Sequence, residues 1–201
     1  MRDVSAPAFW EGMYAAGEDG WELGGPHPTL VHLLRTAPPP AGRVAVPGCG
    51  RGHDARLLAR HGYEVTAFDF VPAVLDEARA LARREGVAVD FQARDLFALG
   101  PEYSGAFDGV WEYTCYCAID PGRRSEYVDV VARILRPGGW FLAVFFPVRG
   151  GEDGPPFPVD LDEVRRLLGG RFRIEHEGRP PRPVPARAGH EWLVRAVRLP
   201  D

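Results

Sequence analysis

The sequence predicts an α/β fold: a seven-stranded, mostly parallel sheet with an antiparallel last strand and helices on both faces. Short apolar runs alternate with helical patterns over residues 43–146, and this alternation is typical of parallel sheets whose strands are joined by helices. This alternation ends after residue 146, and the Pro-rich connection at residues 180–189 is too short for a crossover helix. A short return of this kind places the last strand antiparallel to its neighbour.

Seven segments have the strand pattern, in which apolar residues are bounded by glycine, proline or charged positions. They cover residues 43–46, 64–68, 87–92, 107–111, 140–146, 172–177 and 191–198. The longest apolar run, residues 140–146, is far below the roughly 20 residues that a membrane-spanning helix needs. No membrane partner is therefore expected.

Helical patterns fill the intervals between these strands and also precede the first of them. They cover residues 8–15, 28–36, 54–61, 72–84, 121–135 and 161–168. Pro28, Pro72 and Pro121 stand at first turns, where the missing N–H of proline is tolerated. Gly86 and Gly138 stand where helices are expected to end.

Length and composition indicate one soluble domain covering residues 1–201. The net charge of −4 and the pI near 5.9 give no support for nucleic-acid binding. Three cysteines are typical of a reducing compartment rather than of a disulfide scaffold, and the first ten residues lack a secretory pattern. We therefore expect a cytoplasmic protein, monomeric by default, whose partner is a small molecule.

The most informative stretch is VAVPGCGRGHD, residues 44–54, which has Gly48, Gly50 and Gly52 between a strand and a helix. Glycine lets the backbone approach a ligand closely because it has no Cβ. Asp69 ends the next predicted strand, where a carboxylate can accept hydrogen bonds from both ribose hydroxyls of a nucleoside. Together these features predict a site for an adenosine-containing cofactor.

The spacing of the glycines separates two classes of enzyme that use such a site. The dinucleotide fingerprint G-x-G-x-x-G would need its third glycine at His53, whereas the pattern here is G-x-G-x-G. A nicotinamide-dependent dehydrogenase is therefore disfavoured. Asp95 after the third strand and the turn RPGG at residues 136–139 are typical of S-adenosylmethionine enzymes. A plain helix cap is the alternative role for Asp95.

The chain resembles the thiopurine S-methyltransferase superfamily and, within it, the halide and thiol methyltransferases. The resemblance extends almost from end to end, through FWEGMYAAGEDGWELGGPHPTL, VPGCGRGHD, FDGVWEYTCYCAIDPGRR, GPPFPVDLDEV and PVPARAGHEWL. It implies a Rossmann-like class I methyltransferase with S-adenosylmethionine as its cofactor. Where thiopurine methyltransferases have an arginine after the fourth strand, this sequence has Tyr113, as the halide and thiol branch does. Thiopurines are therefore expected to be poorer acceptors than small soft nucleophiles.

The resemblance also implies which residues form the site. The cofactor-binding residues would be Trp21, Gly48, Cys49, Gly50, Gly52, Asp69, Asp95, Leu96, Phe97 and Glu112. Residues 1–36 would form a helical lid, with Trp10 and His27 at the acceptor pocket. Tyr113 and Tyr116 would be the catalytic residues and would orient the acceptor through their hydroxyl groups. For Trp10 and Tyr116, packing of the N-terminal helix on the sheet is the alternative role.

The expected reaction, methyl transfer from a sulfonium to a thiol, hydrosulfide, thiocyanate or halide, requires little acid–base chemistry. A halide or thiocyanate has no proton to lose, and a thiol with a pKa of about 8.5 is already partly ionised at neutral pH. Alignment of the reacting atoms can contribute roughly 7–11 kcal/mol. Other candidate acceptors are a thiopurine, a metalloid oxyanion or an oxygen nucleophile, and a non-catalytic binder of the cofactor is a further alternative.

The cysteines do not predict a metal centre. Cys115 and Cys117 have no further Cys/His cluster beside them, so they fall short of a four-ligand zinc site. Packing beside the pocket is the favoured role for both, and no metal is expected. Cys49, inside the glycine loop, is expected to offer its backbone rather than its thiol to the cofactor.

Overall fold

The predicted fold class is confirmed, because seven strands hydrogen-bond into one sheet in the order β3-β2-β1-β4-β5-β7-β6. The computed structural model describes residues 3–148 and 154–200. All strand pairs are parallel except those of β7, which is antiparallel to both β5 and β6. The strands are β1 (Arg43–Pro47), β2 (Glu64–Asp69), β3 (Asp90–Ala93), β4 (Phe107–Tyr113), β5 (Leu135–Phe145), β6 (Phe172–Gly178) and β7 (Trp192–Arg198).

Six α-helices accompany the sheet within the described residues. They are α1 (Pro7–Ala16), α2 (Pro28–Thr36), α3 (His53–Arg60), α4 (Pro72–Glu85), α5 (Arg124–Ile134) and α6 (Leu161–Gly169). A proline occupies the first turn of α2 and α4, and Gly86 ends α4 in the left-handed conformation, as predicted. Pro7 opens α1 in the same way. In the part of the chain that the structure describes, no helix is long and apolar enough to cross a membrane.

Several predicted bounds need correction. The fifth strand begins at Leu135 rather than at residue 140, and the helix predicted from residue 121 begins at Arg124, after a 3-10 turn at Pro121–Arg123. The third strand begins at Asp90 rather than at residue 87, because the Val87 N–H closes the end of α4 by donating to Ala82 O. Gly138 does not end a helix, since α5 already stops at Ile134. With φ +75°, Gly138 instead lies within β5, where the pairing with β4 changes register.

The sheet has an apolar core on each face, and each core is covered by a different set of helices. One core includes Val131 of α5 and Leu168 of α6, packed against β-strand residues such as Phe141. The other includes side chains of α2, α3 and α4, for example Leu58. Alternate residues of β1 enter opposite cores, Ala45 on the first face and Val44 on the second. This alternation explains why a continuous apolar run forms the central strands.

The order of the strands places a crevice at one edge of the sheet. The chain moves outward from β1 to β3 and then returns to pair β4 beside β1, with Val44 opposite Gly109. In open α/β sheets, ligands bind at the carboxyl ends of strands where the order reverses in this way. The glycine loop after β1, Asp69 at the end of β2 and Tyr113 at the end of β4 meet at this edge.

Candidate functional site

The glycine loop adopts the open conformations that its sequence predicts. Gly48, Gly50 and Gly52 have φ of +57°, +51° and +67°. A Cβ on Gly48 would lie 2.9 Å from both Cβ and Sγ of Cys115, so no side chain fits between the loop and the segment after β4. Gly52 serves a different purpose from the predicted one: it lines neither cavity described below, and its missing Cβ makes room for the ring of Phe91.

The backbone of Cys49 is already committed to the protein. Its N–H donates to Phe68 O at 2.9 Å, and its carbonyl accepts from Gly52 N at 2.8 Å. The loop is therefore held closed from within, and Cys49 has no free backbone donor for a ligand. The GHD string that follows, residues 52–54, attaches the loop to other elements, because Asp54 accepts from His27 N and from the indole of Trp111.

Asp69 joins the glycine loop to the end of β2. Its Oδ2 accepts from Gly50 N at 2.9 Å, and its Oδ1 accepts from Val71 N at 3.0 Å. Burial raises the pKa of this carboxyl, while the backbone N–H donors oppose the shift. Asp69 lines the main cavity, and a carboxylate has lone pairs beyond the two used here. Asp69 is thus both a clamp for the loop and a free acceptor toward a ligand.

The segment after β3 combines a helix cap with residues that line the main cavity. The Oδ1 of Asp95 accepts from Phe97 N at 2.9 Å and caps a single 3-10 turn. Asp95, Leu96 and Phe97 also line the main cavity together. The guanidinium of Arg123, which also lines this cavity, lies 3.6 Å from the centroid of the Phe97 ring. This end of the cavity can hold a flat heterocycle such as adenine.

A cavity of about 450 Å³ extends from Asp95 to the N-terminal segment. Trp10, Tyr14 and Trp21 line its far end, and their rings pack edge to face at centroid distances of 5.3 and 5.4 Å. The Trp10 indole donates to Val4 O, so this ring both packs and lines the cavity. A smaller cavity of about 80 Å³ adjoins it, bounded by the glycine loop, Trp21 and Tyr113.

Arg51, between two glycines of the loop, attaches the N-terminal segment to the loop. Its guanidinium contacts Asp19 at 2.6 Å, Glu22 at 3.2 Å and Glu77 at 2.7 Å. Glu22 also accepts from His53 at 3.0 Å, and these hydrogen bonds lower its pKa to about 2 against the effect of burial. The segment that supplies Trp21 is therefore tied by charge to the loop beneath it.

Arg187 is the principal site residue that the sequence reasoning missed. It is buried, lines the main cavity and stacks on the ring of Phe146 at 4.6 Å. Its guanidinium donates to Gly20 O, Trp21 O and the hydroxyl of Tyr113, at 3.0, 3.2 and 2.5 Å. The PVPARAGHEWL string contains it, but an arginine in a Pro-rich loop gives no periodic signal of burial.

Tyr113 and His27 do not lie where the sequence-based interpretation placed them. Tyr113 does not line the main cavity, and its hydroxyl donates to Glu191 while accepting from Arg187. His27 is 1% exposed, so it is not at a pocket rim. Its Nδ1 accepts from Thr29 N at the start of α2, and its Nε2 lies 3.1 Å from Glu191. Both residues reach only the smaller cavity.

Tyr116 and Glu112 lie behind the site rather than in it, and neither lines either of the two cavities described above. Tyr116 is 2% exposed and packs edge to face on Tyr127 and Phe145. Among the alternatives left open by the sequence, the position of Tyr116 agrees with packing. Glu112 accepts from Tyr116 N at 2.9 Å and from the Tyr127 hydroxyl, so it fixes the segment after β4 instead of contacting a cofactor.

Thr114 is strained at the point where this segment leaves β4. Its φ of +63° lies in the left-handed region, which a β-branched residue rarely adopts. Its hydroxyl donates to Tyr113 O at 2.7 Å, and the residue lines both cavities together with Gly48. Cys115 and Cys117 follow and line the main cavity, and burial raises the pKa of both thiols. Burial therefore disfavours the thiolate form of both cysteines.

Replacing Glu112 by glutamine is expected to remove a pH-dependent loss of stability. Burial raises the pKa of Glu112 from 4.5 to about 7, so the folded state keeps a proton that the unfolded chain releases. The contribution of Glu112 to the stability of the wild type is therefore most favourable below pH 4.5 and falls as the pH rises through about 7, by roughly 3 kcal/mol in total. The amide of glutamine does not ionise, so the variant does not lose this stability as the pH rises.

Urea unfolding of both proteins at about pH 5 and about pH 8 tests this expectation. The glutamine can keep the hydrogen bond from Tyr116 N through its oxygen and can donate to Tyr127 through its amide nitrogen. The Glu112→Gln variant should therefore match the wild type at the lower pH and exceed it at the higher pH. A difference between the two proteins that does not change with pH would contradict the assigned cause.

The strand order, the glycine loop and the buried Asp69 define a class I S-adenosylmethionine-dependent methyltransferase. The chain belongs to the thiopurine S-methyltransferase (TPMT) family, whose family model matches residues 5–195. Probable thiol methyltransferase 2 of Arabidopsis thaliana is 31% identical over 161 residues, which cover 79% of this chain and 70% of that protein. Thiocyanate methyltransferase 1 of the same plant is 30% identical over 195 residues, which cover 94% and 84%. Thiopurine S-methyltransferase of Pseudomonas fluorescens is 28% identical over 184 residues, which cover 84% of each chain.

Solved structures agree with this assignment. The 1,6-didemethyltoxoflavin-N1-methyltransferase of Burkholderia thailandensis, with bound 1,6-didemethyltoxoflavin and S-adenosylhomocysteine, matches with a TM-score of 0.72. Its sequence identity is 27%, and the match covers 97% of this chain and 87% of that chain. Magnesium protoporphyrin IX methyltransferase of Synechocystis PCC 6803 with bound S-adenosylmethionine has the same fold, with a TM-score of 0.66 at 19% identity and coverage of 98% and 85%.

The residues present fit this cofactor. The loop at Gly48 has no room for a Cβ, the carboxylate of Asp69 keeps lone pairs at the cavity, and Asp95 with Phe97 lines the end that suits adenine. S-Adenosylmethionine is therefore the cofactor of this methyltransferase.

Proposed function

We propose that this methyltransferase transfers the methyl group of S-adenosylmethionine to a small soft nucleophile, namely a thiol, hydrosulfide, thiocyanate or halide. The observation that supports this most is the guanidinium of Arg187 at an otherwise largely aromatic end of the cavity. It has five N–H groups and three acceptors among the described residues, so at least two N–H groups have no partner within residues 3–148 and 154–200. A buried cation with spare donors suits an anionic nucleophile.

The bound cofactor supplies a methyl group on a sulfonium sulfur, which a nucleophile displaces in line. Asp69 and the glycine loop would hold the nucleoside, with Asp95, Leu96 and Phe97 at the base. Alignment of the acceptor is then the main task of the protein, and it is worth roughly 7–11 kcal/mol in well-ordered systems. No proton needs to be removed from a halide or thiocyanate.

The aromatic residues at the far end of the cavity would exclude water from the acceptor. Trp10 and Trp21 belong to the N-terminal segment, residues 1–36, which we propose acts as a lid over the cofactor. Two attachments support this role: Arg51 binds Asp19 and Glu22, and Arg187 binds the carbonyls of Gly20 and Trp21. A small anion that loses its water in such an enclosure becomes a stronger nucleophile. Aromatic faces also favour a sulfonium cation.

A thiopurine is the second candidate acceptor, because relatives named thiopurine S-methyltransferase are 25–28% identical to this chain. The arginine that the thiopurine branch has after its fourth strand is Tyr113 here, and the hydroxyl of Tyr113 already bonds to Glu191 and Arg187. This difference favours small nucleophiles. The higher identity to a thiol methyltransferase and a thiocyanate methyltransferase, 31% and 30%, points the same way.

Incubation with S-adenosylmethionine and separate iodide, thiocyanate, hydrosulfide and thiopurine acceptors tests the proposal. We expect saturable formation of the methylated volatile products, measured in the headspace, and much lower kcat/KM for the thiopurine.

Arg187→Met should lower kcat/KM for thiocyanate about 100-fold, because it removes a charged hydrogen-bond donor from a buried site. Arg133→Met is the control, since its guanidinium contacts only Leu99 O in the described structure. Preferred turnover of the thiopurine, or wild-type kinetics for Arg187→Met, would contradict the proposal.

A further inference from the structure

Glu191 is a buried carboxylate that the proposed reaction does not use directly. It stands immediately before β7, and its side chain is fully buried. Three donors from separate parts of the chain satisfy it: the Tyr113 hydroxyl at 2.8 Å, Val184 N at 2.9 Å and His27 Nε2 at 3.1 Å. Burying a carboxylate is costly unless it is paired and hydrogen-bonded. A carboxylate with so complete a set of donors therefore indicates a specific role.

The tautomer of His27 follows from its two contacts. Its Nδ1 accepts from the backbone N–H of Thr29, so Nδ1 has no proton and Nε2 has one. That Nε2–H is the donor to Glu191 Oε1. The start of α2 is thereby attached to the residue that precedes β7.

The direction of each hydrogen bond around Tyr113 is also fixed. A carboxylate cannot donate, so the single hydroxyl proton of Tyr113 points to Glu191. The guanidinium of Arg187 cannot accept, so it donates to the same hydroxyl oxygen at 2.5 Å. The result is a directed chain from Arg187 through Tyr113 to Glu191. A hydrogen bond that continues to a charged group is stronger than an isolated one.

We infer that Glu191 is a positioning residue for the acceptor: through the Tyr113 hydroxyl it holds the guanidinium of Arg187 at the cavity. This inference rests on the proposed function, because it assigns Arg187 to an anionic acceptor. Without Glu191, the Tyr113 proton is free to turn toward Arg187, where it opposes the guanidinium N–H. Glu191 therefore acts on the acceptor site without touching the acceptor.

The substitution Glu191→Gln disturbs the hydrogen bonds around residue 191 and hardly changes the shape of the side chain. With its oxygen toward Tyr113 and His27, its NH₂ faces the N–H of Val184. With the amide turned over, its NH₂ faces the Nε2–H of His27. The first orientation keeps the direction of the chain but replaces its charged acceptor by a neutral amide oxygen, while two donors oppose each other at Val184. The second orientation places donors against both His27 and Tyr113, so the direction of the chain is lost.

The test measures the steady-state kinetics of Glu191→Gln with thiocyanate and its affinity for S-adenosylhomocysteine by calorimetry. We expect the KM for thiocyanate to rise about tenfold, as for one weakened hydrogen bond to a buried charge. The dissociation constant of S-adenosylhomocysteine should change less than about threefold, since Asp69 and the glycine loop are untouched. Thiocyanate titrated into the protein saturated with S-adenosylhomocysteine, followed by tryptophan fluorescence, should show the same loss of anion affinity without turnover. Glu175→Gln, on β6, is the matched control.

A double-mutant cycle with Tyr113→Phe separates positioning from general damage. Tyr113→Phe alone should raise the KM for thiocyanate by a similar factor, and Glu191→Gln should add little in that background. If Glu191→Gln does not fold, Tyr113→Phe carries the test, because it removes the same link. A wild-type KM in the available variant, or additive effects in the cycle, would overturn the inference. A wild-type protein that neither binds nor methylates any of the anions would overturn the proposed function and this inference with it.

Discussion

Replacing Asp69 by alanine is expected to weaken the binding of S-adenosylhomocysteine about 100-fold. Hydrogen bonds to a charged group contribute about 1.5–3 kcal/mol each, and the carboxylate has lone pairs left for the ribose hydroxyls. The substitution also frees the N–H groups of Gly50 and Val71, which the carboxylate holds at 2.9 and 3.0 Å. Loss of the ligand contacts and loss of the loop geometry therefore act in the same direction.

Calorimetric titration with S-adenosylhomocysteine measures this change. Asp76→Ala is the matched control, because Asp76 is on α4 and, among residues 3–148 and 154–200, forms an ion pair only with Arg79, in an exposed contact. That exposed pair is worth little, so the control should bind as the wild type does. Wild-type affinity in a folded Asp69→Ala protein would show that the nucleoside is held elsewhere.

Gly48→Ala should reduce the affinity for S-adenosylhomocysteine by about tenfold to 100-fold, through a steric effect. At φ +57°, the new Cβ would lie 2.9 Å from both Cβ and Sγ of Cys115, closer than side-chain atoms normally pack. The Cβ of Cys115 is fixed by the backbone, so the glycine loop or the segment after β4 must move. Both line the main cavity, and displacements of about 1 Å at such a site have large effects.

Gly86→Ala separates this clash from backbone strain. Gly86 has φ +65°, but a Cβ there would meet no atom within 4 Å, and the residue lies at the end of α4 away from the cavity. Gly86→Ala should lower the free energy of unfolding by about 1 kcal/mol, because alanine is strained at positive φ, and Gly48→Ala should lower it by at least as much. Only Gly48→Ala should weaken the ligand. Equal affinities in the two variants would exclude the clash with Cys115 as the cause.

The fold could be predicted because its signals are local. The start of α2 at Pro28 and the start of α4 at Pro72 follow from proline at the first turn, and Gly86 ends α4 through its positive φ. Even the direction of β7 follows from the short connection before it. Gly138 shows the limit of such reasoning, since a Pro-Gly-Gly turn can equally follow a helix or interrupt a strand.

The cofactor side of the site could be predicted for the same reason. Gly48 follows β1 directly, Asp69 is the last residue of β2, and Asp95 lies two residues after β3. Parallel strands bring their carboxyl ends to one edge of the sheet. The sequence predicted the positions of the aromatic residues less well, because side chains of neighbouring residues after β4 point in different directions. Thr114 and Cys115 line the main cavity, whereas Tyr116 turns back into the core with its ring against Phe145.

The acceptor side depended on contacts between distant residues. Arg187 meets Gly20 and Tyr113 across 167 and 74 positions of the chain, and His27 meets Glu191 across 164. No pattern in a single stretch of sequence encodes which of several arginines will be buried beside a particular tyrosine. Glu112 illustrates the same point, because its burial and its bond to Tyr127 decide that it supports the site from behind.

By itself, the sequence determined the order of the strands and helices, the glycine loop, the acidic residues at strand ends and the family. Each of these depends on neighbouring residues or on the regular geometry of a parallel sheet. Only the tertiary structure decided that the Tyr113 proton is committed to Glu191, that Arg187 faces the cavity, and that Tyr116 does not. The physical reason is that hydrogen-bond direction and burial belong to groups brought together by folding.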